Sequence, residues 1–224
     1  MYRRWFRFSG KFNIGSLSEN LKKFKFNIND ESSQGFIIEI LRDKYIKCKF
    51  VEKIVLSREL EFPDQEPIIE SYTKLQIIDF FIEENYLRID TPSKSYLSLF
   101  NSIALATNFS YSISPIEICL NKFILSIGKF FDKHEIIYAD INEVKLSKNV
   151  SARIAIQGEK DIDGILERIL KHNGAKIISF KLIVFNKSES IKLSISHNAR
   201  IKCLQGSLES IENNIFSIFK KCQK

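Results

Sequence analysis

Val150-Ser151-Ala152-Arg153-Ile154-Ala155-Ile156-Gln157, followed after a polar break by Asp161 and by Ile162, Ile165, Leu166, Ile169 and Leu170, sets the fold class. The first segment alternates apolar and polar residues, the period of a half-buried strand. The second repeats its apolar residues every three to four positions, the period of one helix face. Asp161 is placed to cap that helix, and His172-Asn173-Gly174 reads as its stop. Strand patterns follow over Lys176–Phe185 and Ile191–Cys203, the second interrupted near His197-Asn198. Ser207 then introduces a last helix with Leu208, Ile211, Ile215 and Ile218 on one face. The order β-α-β-β-α is most of a ferredoxin-like split βαβ unit, so residues 147–224 are expected to form an α+β domain with antiparallel strands and helices on one face.

Upstream, residues 1–146 read as a second α+β domain, or as part of one compact unit with the first, and the first third of the chain reads as three or four antiparallel strands. Tyr2 to Phe12 opens it. Phe24, Phe26 and Ile28 alternate with Lys23, Lys25 and Asn27, Gly35–Ile40 follows a polar turn, and Tyr45–Phe62 makes a long strand. Pro67 then opens a predicted helix to about Asn85, with Ile68, Tyr72, Leu75, Ile78 and Ile82 at spacings of three and four. A strand at Tyr86–Asp90 and a helix at Ser93–Ala106 come next. Beyond them lie a strand at Phe109–Ile118, a short helix at Cys119–Phe131 and a strand at His134–Leu146. The strand–helix–strand run over 86–118 suggests tandem modules.

The chain has 224 residues, 44% of them hydrophobic, with only 8 Gly and 4 Pro, so it has ample core material and no linker composition. Its net charge is +7, and the charge is segregated. Residues 1–62 carry 13 Lys/Arg against 8 Asp/Glu, residues 63–140 carry 6 against 11, and residues 141–224 carry 15 against 8. Two basic ends favour an acidic partner locally, although the excess of Ile, Lys, Phe and Asn is also what an AT-rich coding sequence imposes. The acidic middle suits protein docking.

The opening strand carries the sharpest functional pattern. At period two, Arg3, Trp5, Arg7, Ser9 and Lys11 fall on one face and Phe6, Phe8 and Phe12 on the other. Burying the phenylalanines is expected to leave guanidinium groups beside the only Trp, a surface for phosphates and stacked bases. Arg3, Arg4, Trp5, Arg7, Lys11, Lys23, Lys25, Lys47 and Lys49 are therefore the candidate nucleic-acid-binding residues. The plainer reading of the same residues is a packed Trp5 among solvated charges. Lys176, Lys181, Lys192, Arg200 and Lys202 offer a second strip, or else protect strand edges.

Enzymatic patterns are weak. Glu143-Val144-Lys145, with Asp132 or Glu117 upstream, superficially matches a metal-dependent nuclease, yet such a triplet occurs less often here than composition predicts. His134, His172 and His197 lie in separate elements, and there is no Cys-x-x-Cys, phosphate-binding loop or dinucleotide fingerprint. No metal or cofactor is expected. Cys48, Cys119, Cys203 and Cys222 read as reduced thiols. The start lacks the apolar stretch of a signal peptide, and no run of 18 apolar residues occurs, so a cytoplasmic protein without a membrane segment is expected. The sequence thus predicts a non-catalytic nucleic-acid-binding protein or nucleoprotein subunit, DNA or RNA undetermined, with a protein partner or homo-oligomer. The alternative is an adaptor subunit docking through its aromatic and acidic surfaces.

Overall fold

A computed structural model describes residues 1–29, 32–60, 68–173, 175–186 and 189–223. The fold is α+β, with antiparallel ladders and five helices among the described residues. In chain order the elements are β1 (Tyr2–Gly10), α1 (Ile14–Lys23), β2 (Gln34–Leu41), β3 (Tyr45–Leu60), β4 (Ile68–Glu83), β5 (Tyr86–Ile89), α2 (Leu97–Ala106) and β6 (Tyr111–Pro115). There follow α3 (Leu120–Ile127), β7 (Lys133–Ser147), β8 (Val150–Gln157), α4 (Asp163–Asn173), β9 (Lys176–Asn186), β10 (Glu189–Ser196), β11 (Arg200–Gln205) and α5 (Glu212–Cys222). Two compact units result: Arg7–Ser114, and Met1–Phe6 together with Pro115–Lys224. A boundary at 146 would cut the β7–β8 ladder, whose pairs run from Tyr138↔Gln157 to Ser147↔Val150.

In the Arg7–Ser114 unit the strand order is β2-β3-β4-β5, and β6 pairs with β1. Phe36, Phe50 and Phe80 form a buried aromatic cluster with Ile46, Cys48, Ile78 and Ile82. Leu17 and Leu21 of α1 and Leu99 and Ile103 of α2 are buried with them. Tyr111 stacks on Phe8 at 4.7 Å and donates its hydroxyl to the Lys11 carbonyl. Gly10 is required at this contact, because a Cβ there would stand 2.6 Å from Ser110 O.

Two expectations for this unit are overturned. The predicted helix over 67–85 is strand β4, paired residue by residue with β3 from Tyr45↔Glu83 to Leu60↔Ile68. Its run Ile77-Ile78-Asp79-Phe80-Phe81-Ile82 buries alternate residues Ile78, Phe80 and Ile82, and the β-branched and aromatic content outweighs the three-and-four spacing. The Pro67 start lies outside the described residues. Conversely, Ile14–Lys23 is helix α1, where strands were expected. Asn13 caps it by accepting from Ser16 N–H at 3.0 Å, and Leu17, Ser18 and Leu21 turn inward.

The other unit orders its strands β1-β11-β10-β9-β7-β8, with β7 antiparallel to both β8 and β9. The β8–α4–β9 connection therefore encloses β7 between two parallel strands. In the β-α-β-β-α order expected over 147–224 the strand after the crossover, β10, would lie between β8 and β9; it lies outside them, beside β9, and β7 takes the enclosed place. Helices α3 and α5 pack on one sheet face: Phe123 lies 5.6 Å from Phe180 and 5.5 Å from Phe219. Phe180, Leu182, Val184, Ile191, Leu193, Ile195 and Ile201 are fully buried. The strand expected over Ile191–Cys203 breaks at a turn where Ala199 takes φ +53°. The last helix begins at Glu212, behind Ile211 and not Ser207, with no side-chain cap. The strand expected over Phe109–Ile118 is the shorter β6, because Asn108 and Phe109 take φ +48° and +57°. The stop read at Gly174 falls outside the described residues.

Candidate nucleic-acid interface

The residues of β1 part company in the structure. Trp5 is 3% exposed and packs on α5, its ring 5.6 Å from Phe216 in a stacked arrangement and 5.5 Å from Phe219 edge-on. Arg3, on the same side of β1, brings its Nε within 3.3 Å of Glu212 Oε1. This corrects the expectation that Trp5 lies open among cations. Both faces of β1 are buried at this point, since Phe6 is also 3% exposed. Period two separated the two faces correctly but could not reveal that a helix covers the indole side.

The remaining candidates disperse. Arg7 and Lys11 are exposed. Lys23 ends α1, where a cation complements the helix C-terminus, and Lys25 makes an isolated bridge with Phe36 in place of a regular strand. Lys47 and Lys49 do come together, but on a shared carboxylate: Lys47 Nζ lies 2.9 Å from Glu39 Oε2, and Lys49 bonds Glu39 Oε1. Those two ammonium groups hold the Glu39 carboxyl below its ordinary range, Lys49 contributing most. A phosphate approaching there meets a partly neutralised surface.

A stronger basic surface emerges on the sheet face of the Met1–Phe6 and Pro115–Lys224 unit that points away from α3 and α5. Directly paired antiparallel residues share a face, so the register gives its rows. One row runs Tyr2, Lys202, Ser194, Lys181, Tyr138, Gln157. The next runs Arg4, Arg200, Ser196, Ser179, Asp140, Ala155. Beyond the first row lie Lys192, Ile183 and Glu135, then Phe185 and Lys133. Arg153, two residues from Ala155 on β8, joins Asp140 with its Nε 2.8 Å from Oδ1, and this guanidinium holds the Asp140 carboxyl below its ordinary range.

Across these rows stand seven cations (Arg4, Lys133, Lys181, Lys192, Arg200, Lys202, Arg153) against two carboxylates, Glu135 and Asp140. Aromatics are interleaved. Lys181 Nζ sits 4.7 Å over the Tyr138 ring, Lys133 Nζ 4.5 Å over Phe185, and the Arg4 guanidinium 4.8 Å over Phe6. The serines between them supply hydroxyl donors. Four of these cations were visible in the sequence as the second strip; Lys133, Tyr138 and Arg153 were not, because only strand pairing aligns them with it.

The nuclease pattern gains no support from its surroundings. Glu143 pairs with Lys176 at 2.7 Å, and no group of three His, Cys, Asp or Glu side chains able to hold a metal occurs among the described residues. No described helix is long and apolar enough to cross a membrane. Cys48, Cys119, Cys203 and Cys222 are free thiols.

Fold and surface together define an α+β protein whose Met1–Phe6 and Pro115–Lys224 unit carries a basic, aromatic-interleaved sheet face opposite α3 and α5. No protein-family model matches the chain, and no curated protein matches it either.

Proposed function

We propose that the protein binds the nucleic-acid backbone without catalysing a reaction on it, through the open sheet face carrying Arg4, Lys181, Lys192, Arg200 and Lys202. The observation that supports this reading is the excess of cations over carboxylates along paired strand rows. Lys and Arg on adjacent strands present charge over an extended surface, as a string of phosphates requires. The exposed guanidinium of Arg200 adds forked hydrogen bonding to phosphate oxygens. Tyr2 and Tyr138 offer rings for bases in single-stranded segments. Arg7, Lys11, Lys23 and Lys25 belong to the Arg7–Ser114 unit and would contact phosphates independently of this face. Trp5 acts by holding α5 against β1, and Arg3 by its bond to Glu212. The ferredoxin-like relation belongs to the same proposal; α3 and α5 packed on one sheet face support it.

Fluorescence anisotropy with labelled single-stranded and duplex oligonucleotides, at two or more salt concentrations, tests the proposal. Tight, salt-sensitive binding that weakens in an Arg200→Ala/Lys202→Ala double variant is expected. Binding that ignores both substitutions refutes it.

One observation favours a second reading, docking of a protein partner. Between Val55 and Glu59 on β3, and between Ile69 and Leu75 on β4, every residue is exposed, among them Val55 at 68% and Ile69 at 70%. A two-stranded ribbon is marginally stable alone in water, and apolar side chains along it suit a protein contact. Size-exclusion chromatography of a Val55→Lys/Ile69→Lys variant tests this: loss of a self-associated species supports it, and an unchanged profile with unchanged partner capture opposes it.

A further inference from the structure

Helices α3 and α4 wall a cavity of about 490 Å³ that none of the residues above uses. Its sides are Asn121, Ile124 and Leu125 from α3 with Gly128 at its C-cap, and Asp163, Leu166, Glu167 and Leu170 from α4, with His134 of β7 also in the lining. The volume falls in the range of pockets that hold small molecules, roughly 300–1,000 Å³. Ile124 and Leu166 are buried in its wall, while Leu125 is 74% exposed at its mouth. An apolar body is therefore matched by an apolar wall.

The polar groups are not neutral in their preference. Asp163 and Glu167 are four residues apart, hence on one side of α4, and both line the cavity. The first turn of a helix ordinarily favours a carboxylate. Even so, the Asp163 carboxyl is pushed above its ordinary range, first by burial and then by the charges of Asp161 and Glu167. Two carboxylates thus line a partly dry cavity in a protein whose net charge is +7. In the same lining, His134 Nδ1 is buried with no hydrogen-bond partner, and His134 acts against the upward shift of Asp163. A donor or acceptor brought into the cavity near this ring meets a polar wall group in an otherwise apolar setting.

We infer that this cavity binds a small amphiphilic amine, a short aliphatic chain lying along Ile124, Leu166 and Leu170 with its ammonium group at Asp163 and Glu167. Burial of the chain supplies most of the affinity, and the carboxylates choose the sign of the head group. The site is separate from the basic sheet face, and the inference does not depend on nucleic-acid binding.

The test compares n-octylammonium with n-octyl sulfate and n-octanol by isothermal titration and by saturation-transfer NMR on the full chain. A protein of net charge +7 should attract the sulfate non-specifically, so a preference for the cation has to come from a local site. The expected result is saturable binding of n-octylammonium at one site, at least about fivefold tighter than either comparator. Asp163→Asn/Glu167→Gln should erase that preference while leaving n-octanol binding unchanged. Gly128→Leu should abolish binding of all three, since Gly128 has φ −61° and accepts a side chain, and its Cβ would stand 3.8 Å from His134 Cε1. Thermal melts confirm that each variant folds. No binding of n-octylammonium, equal binding of the sulfate, or a preference that survives the double substitution each overturns the inference.

Discussion

Replacing Trp5 by Ala separates a structural role from a base-stacking one. Trp5 is 3% exposed, stacked on Phe216 and edge-on to Phe219. Truncating a buried Trp commonly costs about 3–5 kcal/mol, and two aromatic contacts place this site toward the upper part of that range. Loss of the ring also loosens α5 from β1, which the Arg3–Glu212 pair still ties together. Urea unfolding followed by circular dichroism should therefore show a midpoint far below that of the parent at an unchanged m-value. Trp5 is the only Trp, so its fluorescence reports on this contact directly: blue-shifted emission and weak acrylamide quenching in the native state are expected. Under conditions where the variant stays folded, its affinity for an oligonucleotide should match the parent's. A cost below about 0.5 kcal/mol, typical of surface substitutions, combined with lost oligonucleotide binding, would refute the reasoning.

The other predictions concern single side chains. Asp140 is held below its ordinary value of 3.8 by Arg153, so the stability it contributes is fully present above that pH and is lost as the pH falls through its folded-state value. Asp140→Asn should thus lower the urea midpoint near pH 7 and narrow the difference between pH 7 and pH 3; an unchanged difference contradicts the pairing. Burial pushes the Cys48 thiol up to about 12, so it should react with a thiol reagent only as fast as the Arg7–Ser114 unit opens. Rapid labelling of Cys48 in the native protein, located by peptide mass spectrometry, would show that this core is open.

The legible parts of the sequence were those where one period dominated. Val150–Gln157 is a strand with the bounds its alternation gives, and Leu166, Ile215 and Ile218 turn inward from their helices as their spacing requires. Ile68–Glu83 failed because its apolar residues satisfy both periods, and only the sixteen-residue ladder with β3 resolves which one holds. Helix α1 hid behind Gly15 and six polar residues, its Asn13 cap being the signal available. At the candidate interface, alternation identified Lys181, Lys192, Arg200 and Lys202, yet the partnership of Arg4 with Arg200 and of Lys181 with Tyr138 is long-range pairing that no local pattern encodes. The pairing of Lys47 and Lys49 with Glu39 is of the same kind, and it turned an expected basic patch into a partly neutral one.

The salt dependence of oligonucleotide binding in a Lys181→Ala/Arg200→Ala/Lys202→Ala variant tests the proposed function most directly. Each phosphate neutralised on duplex DNA contributes about 0.9 to the slope of log affinity against log salt, so removing three contacts should flatten that slope by roughly 2–3. The parent slope should be retained when Lys47 and Lys49, already engaged by Glu39, are replaced together. A parent that shows no salt-dependent binding, or a triple variant whose slope equals the parent's, would contradict the assignment of phosphate contacts to this sheet face.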